Sequence, residues 1–410
     1  KMTAVAGSVE FKTFTVGGMD LNDPKIAKKL EVNIYYDILK PVVLADVKVL
    51  DENDALGKFN ISGKEDVKIQ FGVPGGQEEI NLKLKLFQNK NLEDNTVINK
   101  GAMKHKTYDF RMVSPELLTN QSKRLQKSFK QNTDKTVKDA IKHISDKEVN
   151  TPDGTKGEQR LVANYERVFD FLRNINERHV SQQNKSSLYT LFPTYENGNE
   201  KYTFATFEHL MKQGSKFDFR QDNTPGTRTT TDGEQMKNLL WVNVPQSFYT
   251  PTRANSDSNR NTVNLHTSKW QGKNSEDKQF NILGQPVFKN EPESQPTNQR
   301  PPRTTIVDPS NDKKKTDISD AKVDRAKFLA HLTQNTMKFE IHGNPAIKVG
   351  DVVTLNIPKK ADADQESGEK QMNDKVLIVR LRHRIKMTGA SPQYTMLVEA
   401  VKAAFKESGA

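Results

Sequence analysis

Two regions of this chain alternate apolar and polar side chains with a period of two residues, and that period restricts the fold more than any other feature. Near the N-terminus, VEFKTFTVGG, LEVNIYYDILKPVVLADVKVLD, EDVKIQFGVPGGQEEINLKLKLFQNK and KTYDFRMVS alternate in this way and are separated by Gly, Pro, Asn and Asp. Near the C-terminus, KFEIHGNPAIKVGDVVTLNIPKK, VLIVRLRHRIK and SPQYTMLVEAVK do the same. Successive side chains of an extended chain face opposite ways, so each segment reads as a strand with one face buried. Punctuated short strands of this kind build meanders that close into small barrels or sandwiches. The sharpest pair sets Val67, Ile69 and Phe71 against Ile80, Leu82, Leu84 and Leu86 across the turn Gly72 to Gly76, with Lys83 and Lys85 facing away.

Between these regions the period changes. Ser114-Pro115-Glu116 places a capping residue, a first-turn proline and an acid where a helix starts. The continuation LLTNQSKRLQKSF, with Lys123 and Arg124, reads as a basic helix surface, and residues 100–130 carry eight Lys/Arg against two acids. After Thr133, Val137, Ala140, Ile141 and Ile144 recur at helical spacing. Residues 147–159, with Pro152, Gly154 and Gly157, read as a connection. Val168, Phe171, Leu172 and Ile175 then form one helix face, SLYTLFPTY and KYTFATF form a hairpin around ENGNE, and FEHLMKQG closes an α+β unit.

Polar linkers follow at 221–235 and 251–262, and residues 284–316 hold six prolines and Lys313-Lys314-Lys315, a flexible stretch by composition. A helix is expected near 319–334, and ADADQESGEK is an acidic loop. Hydrophobic residues make up 34% of the chain, and the 22 glycines raise the apolar share only to about 39%, below the usual ~45–50%. Some of the 410 residues therefore lie outside any core, within two to four domains at about 150 residues each.

The chain has 63 Lys/Arg against 52 Asp/Glu, a net +11, which favours polyanions without specifying one. In VLIVRLRHRIK, Arg380, Arg382, Arg384 and Lys386 share one strand face, while Val379, Leu381, His383 and Ile385 share the other. On its own that row suits phosphate, a protein partner or water. His383 reads as a core histidine. The absence of cysteine excludes disulfides, thiolate metal sites and thiol catalysis. The eight histidines show no zinc spacing, Gly72 to Gly76 lacks a phosphate-loop lysine, and Asp308, Ser310 and Asp312 lack the rest of a calcium loop. No catalytic motif, metal site or cofactor is expected. No apolar run reaches membrane-spanning length, so a soluble chain made in the cytoplasm is expected.

Taken in order, ISGKEDVKIQFGVPGG, YDFRMVSPELLTNQSKRLQKSF, the basic helix, the α+β insertion and the C-terminal AKFLAHLTQNTMKFEIHGNPAIKVGDVVTLNIPKK to LVEAVK resemble the baseplate hub proteins of contractile-tailed bacteriophages. Those proteins are related to the N-terminal part of type VI secretion spike proteins. The resemblance implies an α+β, mainly β fold: two small tube-like β-barrel domains with an α+β insertion and long polar loops. The domains implied are a first barrel at 1–112, a helical then α+β insertion at 113–220, first strands of the second barrel with a flexible Pro/Lys-rich insertion and a helix at 221–336, and the rest of that barrel at 337–410.

By resemblance, the chain is a non-enzymatic homotrimer in the virion, joining a hexameric tail tube protein to a trimeric central spike protein beside other baseplate proteins. Viral DNA would touch it transiently and non-specifically in the channel. Lys83, Lys85, Lys123, Arg124, Arg380, Arg382, Arg384 and Lys386 are the candidates for interface or channel. The charge also fits a DNA-binding protein, and a tail-associated lysin or the hub of a phage-derived injection machine are further alternatives.

Overall fold

Val67, Ile69 and Phe71 pair with Leu84, Leu82 and Ile80 in register and are almost completely buried, so the hairpin read from alternation forms as written. Gly76 donates its N–H to the Val73 carbonyl (2.8 Å) and Gly75 has φ +75°, a conformation that the missing Cβ permits. The computed structural model describes residues 7–51, 56, 61, 63–76, 78–95, 105–176, 179–183, 187–221, 235–242, 259–264, 269–274, 281–282, 285–286, 303–307, 336–356, 374–387 and 392–401.

The N-terminal strands are β1 Glu10–Val16, β2 Met19–Asp20, β3 Lys28–Asp37, β4 Leu44–Asp51, β5 Asp66–Gly72, β6 Glu79–Asn95 and β7 His105–Val113. The insertion follows as α1 Pro115–Ser122, β8 Leu125–Asn132, α2 Thr133–Lys142, β9 Val149–Asn150, β10 Glu158–Glu166, α3 Val168–Ile175, β11 Tyr189–Glu196, β12 Asn199–Thr206 and α4 Phe207–Met211. Beyond it come β13 Asp218–Gln221, β14 Gln235–Val242, β15 Asn259–Asn264, β16 Lys269–Asn274, β17 Asn281–Ile282, β18 Gln285–Pro286 and β19 Arg303–Val307. The chain then forms β20 Thr336–His342, β21 Val352–Asn356, β22 Asp374–Lys386 and β23 Gln393–Val401.

Thirteen strands form one sheet in the order β2-β1-β5-β6-β7-β4-β3-β22-β21-β13-β14-β20-β23. β23 pairs again with β22, so the strands from β22 to β23 return on themselves, whereas β1 and β3 have no backbone pairing with each other. The N-terminal run is joined to the rest through β3 and β22, from Arg380↔Asp37 to Lys386↔Glu31. Both runs share one hydrophobic core. At its centre the Phe71 ring lies 6.2 Å from His383 and 5.7 Å from Tyr394, and Tyr36 lies 5.6 Å from His383. Burying each such aromatic contributes roughly 1.5–3 kcal/mol. The two expected barrels are thus not separated by their cores, since both runs contribute to one: alternation reads each strand's buried face, but not which strands share it. Gly343 permits this packing, because a Cβ there would lie 2.0 Å from the Tyr394 ring.

The insertion has its own core, which includes Phe129, Val137, Ile141, Phe171, Leu172 and Phe204. Asn197 (φ +50°) and Gly198 (φ +78°) close the β11–β12 hairpin as a primed turn. Ser114 precedes the expected helix, but its hydroxyl accepts from the Val43 amide (2.8 Å) instead of capping it. The basic segment after Ser122 is a strand rather than a helix, because Leu125 and Phe129 face the insertion core while the segment pairs along its length with β10. The expected linker at 251–262 ends inside β15, and the Pro-rich stretch contains β19, which runs parallel to β15. Backbone pairing there overrides a composition that reads as loop. The expected helix at 319–334, Asp308 to Asp312, Lys313 to Lys315 and the acidic loop at 361–370 lie outside the described residues.

Candidate functional site

The cationic row of β22 lies between two neighbours whose outward residues supply its counter-charges. Antiparallel pairing sets Arg380 opposite Asp37 on β3 and Glu399 on β23, and Lys386 opposite Glu31. Arg380 reaches Asp37 at 3.1 Å and Glu399 at 2.8 Å, and Lys338 on β20 holds the other Glu399 oxygen at 3.4 Å. Across four strands the charges thus alternate as Lys338, Glu399, Arg380, Asp37. One layer along, Arg382 donates to Asn33 (2.9 Å), lies 3.6 Å from Glu31 and stacks over the Tyr35 ring at 5.4 Å. Arg384 donates to Glu31 at 3.0 Å. On β4 and β7, Asp46 accepts a two-pronged bond from Arg111 at 2.8 and 3.1 Å.

Burial pushes the Glu31 carboxyl up, but bonds from Arg384 and Asn33 and the charges of Arg384 and Lys386 outweigh it and hold Glu31 below the usual carboxylate range. Pairs this exposed contribute about 0–1 kcal/mol each. Their geometry does more: a slip of one residue would set Arg380 against the apolar face, so the ladder marks the register that joins the two strand runs. A phosphate clamp needs cations free to displace counterions. Three of these four cations are already ion-paired within the chain.

The other candidates do not converge with the row. Lys83 is exposed and stands opposite Lys68, while its own backbone amide donates to the Glu200 carboxylate. Lys85 pairs with Asp66 at 2.7 Å. Lys123 donates to the His143 carbonyl (3.2 Å) at the end of α2, and Arg124 to the Gln121 carbonyl (2.9 Å) in the last turn of α1. His383 is fully buried behind the row and bonds Tyr394 through Nδ1 at 2.7 Å. Burial lowers its pKa to about 3, so the ring is neutral.

Sequence reasoning missed the acidic half of the ladder. Glu31, Asn33, Tyr35 and Asp37 share one face of LEVNIYYD, but nothing in the sequence says that this strand lies beside residues some 350 positions later. It also missed Lys147, held 3.0 Å from Glu116 and 2.9 Å from Glu200 where α1, β12 and the segment before β9 meet. Burial lowers the Lys147 pKa, but the two carboxylates more than reverse this; burial raises Glu200. The insertion is further fastened by Tyr195, which donates to the Ile347 carbonyl (2.9 Å), and by Tyr202, which donates to the Pro41 carbonyl (3.1 Å). Among the described residues no group of three or more His, Cys, Asp or Glu is placed to hold a metal ion.

No family model and no curated protein matches this chain. Among solved structures, it is similar to the tail protein of Neisseria meningitidis MC58, with a TM-score of 0.55 and 10% identity over 96% of each chain. It is also similar to the 43 kDa tail protein of prophage MuSo2 from Shewanella oneidensis, with a TM-score of 0.52 and 10% identity over 96% of this chain and 98% of that one. An Escherichia coli component of the type VI secretion system matches with a TM-score of 0.49 and 8% identity, over 97% of this chain and 78% of that one. From the first two likenesses, the chain has the fold of phage tail proteins along nearly its whole length, and its mainly β, α+β character is the one that the resemblance implied.

Proposed function

We propose that this chain is a structural component of a phage tail baseplate hub, a trimeric adaptor that joins a hexameric tail tube to a trimeric central spike and encloses the channel for DNA. The observation that carries this reading is the end-to-end likeness to two tail proteins, with near-complete coverage of all three chains. The reading is supported by the sheet, in which two strand runs meet at β3 and β22. Taken as two tube-like units per chain, residues 1–112 and part of 235–283 with 337–403, they give a trimer six similar units around one axis. Such a ring meets a sixfold tube on one side and a threefold spike on the other.

The internal pairing of the β22 row agrees with a passage that DNA slides through, since a wall of free cations would grip phosphate at low salt. No chemical step belongs to this role. Its test is co-expression with the tube and spike proteins of the same tail, followed by native mass measurement. Three copies of this chain per spike trimer are expected. Six copies per ring, or no association with either protein, would refute the reading.

A further inference from the structure

β8 and β10 pair only with each other among the described residues, from Glu158↔Asn132 to Glu166↔Leu125. One face of this ribbon rests on the insertion core through Leu125, Phe129, Leu161 and Ala163. The other face is bare: Gln126, Ser128 and Lys130 on β8 and Arg160, Val162 and Asn164 on β10 are all exposed.

Three features of that face work against the stability of the chain alone. Val162 and Tyr165 are 67% and 68% exposed, two of the four large hydrophobic residues so exposed among those described. Tyr165 is the extra residue of a bulge and has φ +51°, a left-handed conformation that strains a bulky side chain and here turns its ring into solvent. Lys130 and Arg160 stand directly opposite each other, an arrangement of like charges that weakens a strand pair, and neither has an ion-pair partner among the described residues. The outer edge of each strand also offers backbone N–H and C=O groups on which another strand can form.

We propose that this ribbon docks an extended acidic segment of another protein, which adds a strand at an open edge, sets carboxylates against Lys130 and Arg160, and covers Val162 and Tyr165. A second copy of the same face is disfavoured, since it would bring two cation pairs together. Nucleic acid is disfavoured as well, because Val162 lies at the centre of the face and a single aromatic is no stacking platform. The surface lies in the insertion, outside the thirteen-stranded sheet, and does not depend on the hub reading.

The chain has no cysteine, so Gln126→Cys in the full chain takes a single environment-sensitive fluorophore at the rim of the ribbon. The probe is a synthetic ten-residue peptide of alternating Glu and Val. Saturable binding is expected, weakened about thirtyfold by Val162→Ser and by Lys130→Glu with Arg160→Glu, as for residues at the centre of an interface. Tyr165→Gly should bind more weakly while melting at a higher temperature, which separates lost contact from lost folding. No binding, binding indifferent to these substitutions, or equal binding of duplex DNA through the same residues would overturn the proposal.

Discussion

His383 supplies a sharp test of how the two strand runs are joined, because it is buried at their seam between Tyr36, Phe71 and Tyr394. Its pKa is lowered to about 3 by burial, against 6.5 in the unfolded chain. The unfolded state therefore binds a proton that the folded state refuses. The stabilisation from keeping the ring neutral is complete above pH 6.5 and is lost progressively as pH falls towards 3. At pH 5 the loss is about 2 kcal/mol, from about 1.5 pH units at 1.36 kcal/mol each. His383→Asn keeps an acceptor near the Nδ1 position for the Tyr394 hydroxyl and removes the titration. Urea unfolding followed by circular dichroism at pH 7.5 and pH 5 should show the wild type losing about 2 kcal/mol more than the variant. The difference between slopes isolates His383 from other titrating groups. Parallel pH dependence in the two proteins would mean that the ring is hydrated, and the dry shared core would be wrong.

The remaining predictions concern how the units are locked together. Lys147→Met strands Glu116 and Glu200 without their shared cation and should cost about 3–5 kcal/mol in urea unfolding; adding Glu116→Gln and Glu200→Gln should restore most of it. Gly343→Ala forces the Tyr394 ring aside and should lower stability by about 1–3 kcal/mol, with loss of the near-ultraviolet signal from the ring's fixed environment. A double-mutant cycle on Arg380 and Glu399 should give a coupling below about 1 kcal/mol that shrinks with added salt, since half of the Arg380 side chain is exposed.

The strand-rich ends were legible in the sequence because alternation and turn chemistry act locally. The β5–β6 hairpin, the Asn197-Gly198 turn and the α2 and α3 helices all follow from residues within a few positions of one another. What could not be read is pairing at a distance. The row Arg380 to Lys386 is visible as four cations, yet its partners on β3 are supplied by the fold, and with them the change from a free polycation to a paired ladder. Composition misled where backbone pairing decides: LQKSFKQN looks like a basic helix surface, but its two apolar residues and its partner β10 make it a strand. The same blindness hid Lys147, which has no local signature and gains meaning only from Glu116 and Glu200.

In the proposed hub, three copies of this chain make one ring with six similar units. Electron microscopy of the purified chain with its spike protein, averaged without imposed symmetry, measures this most directly. A ring with a central hole, true threefold symmetry and six similar lobes around it is expected. A ring with six copies of the chain, or a particle with no axial channel, would contradict it.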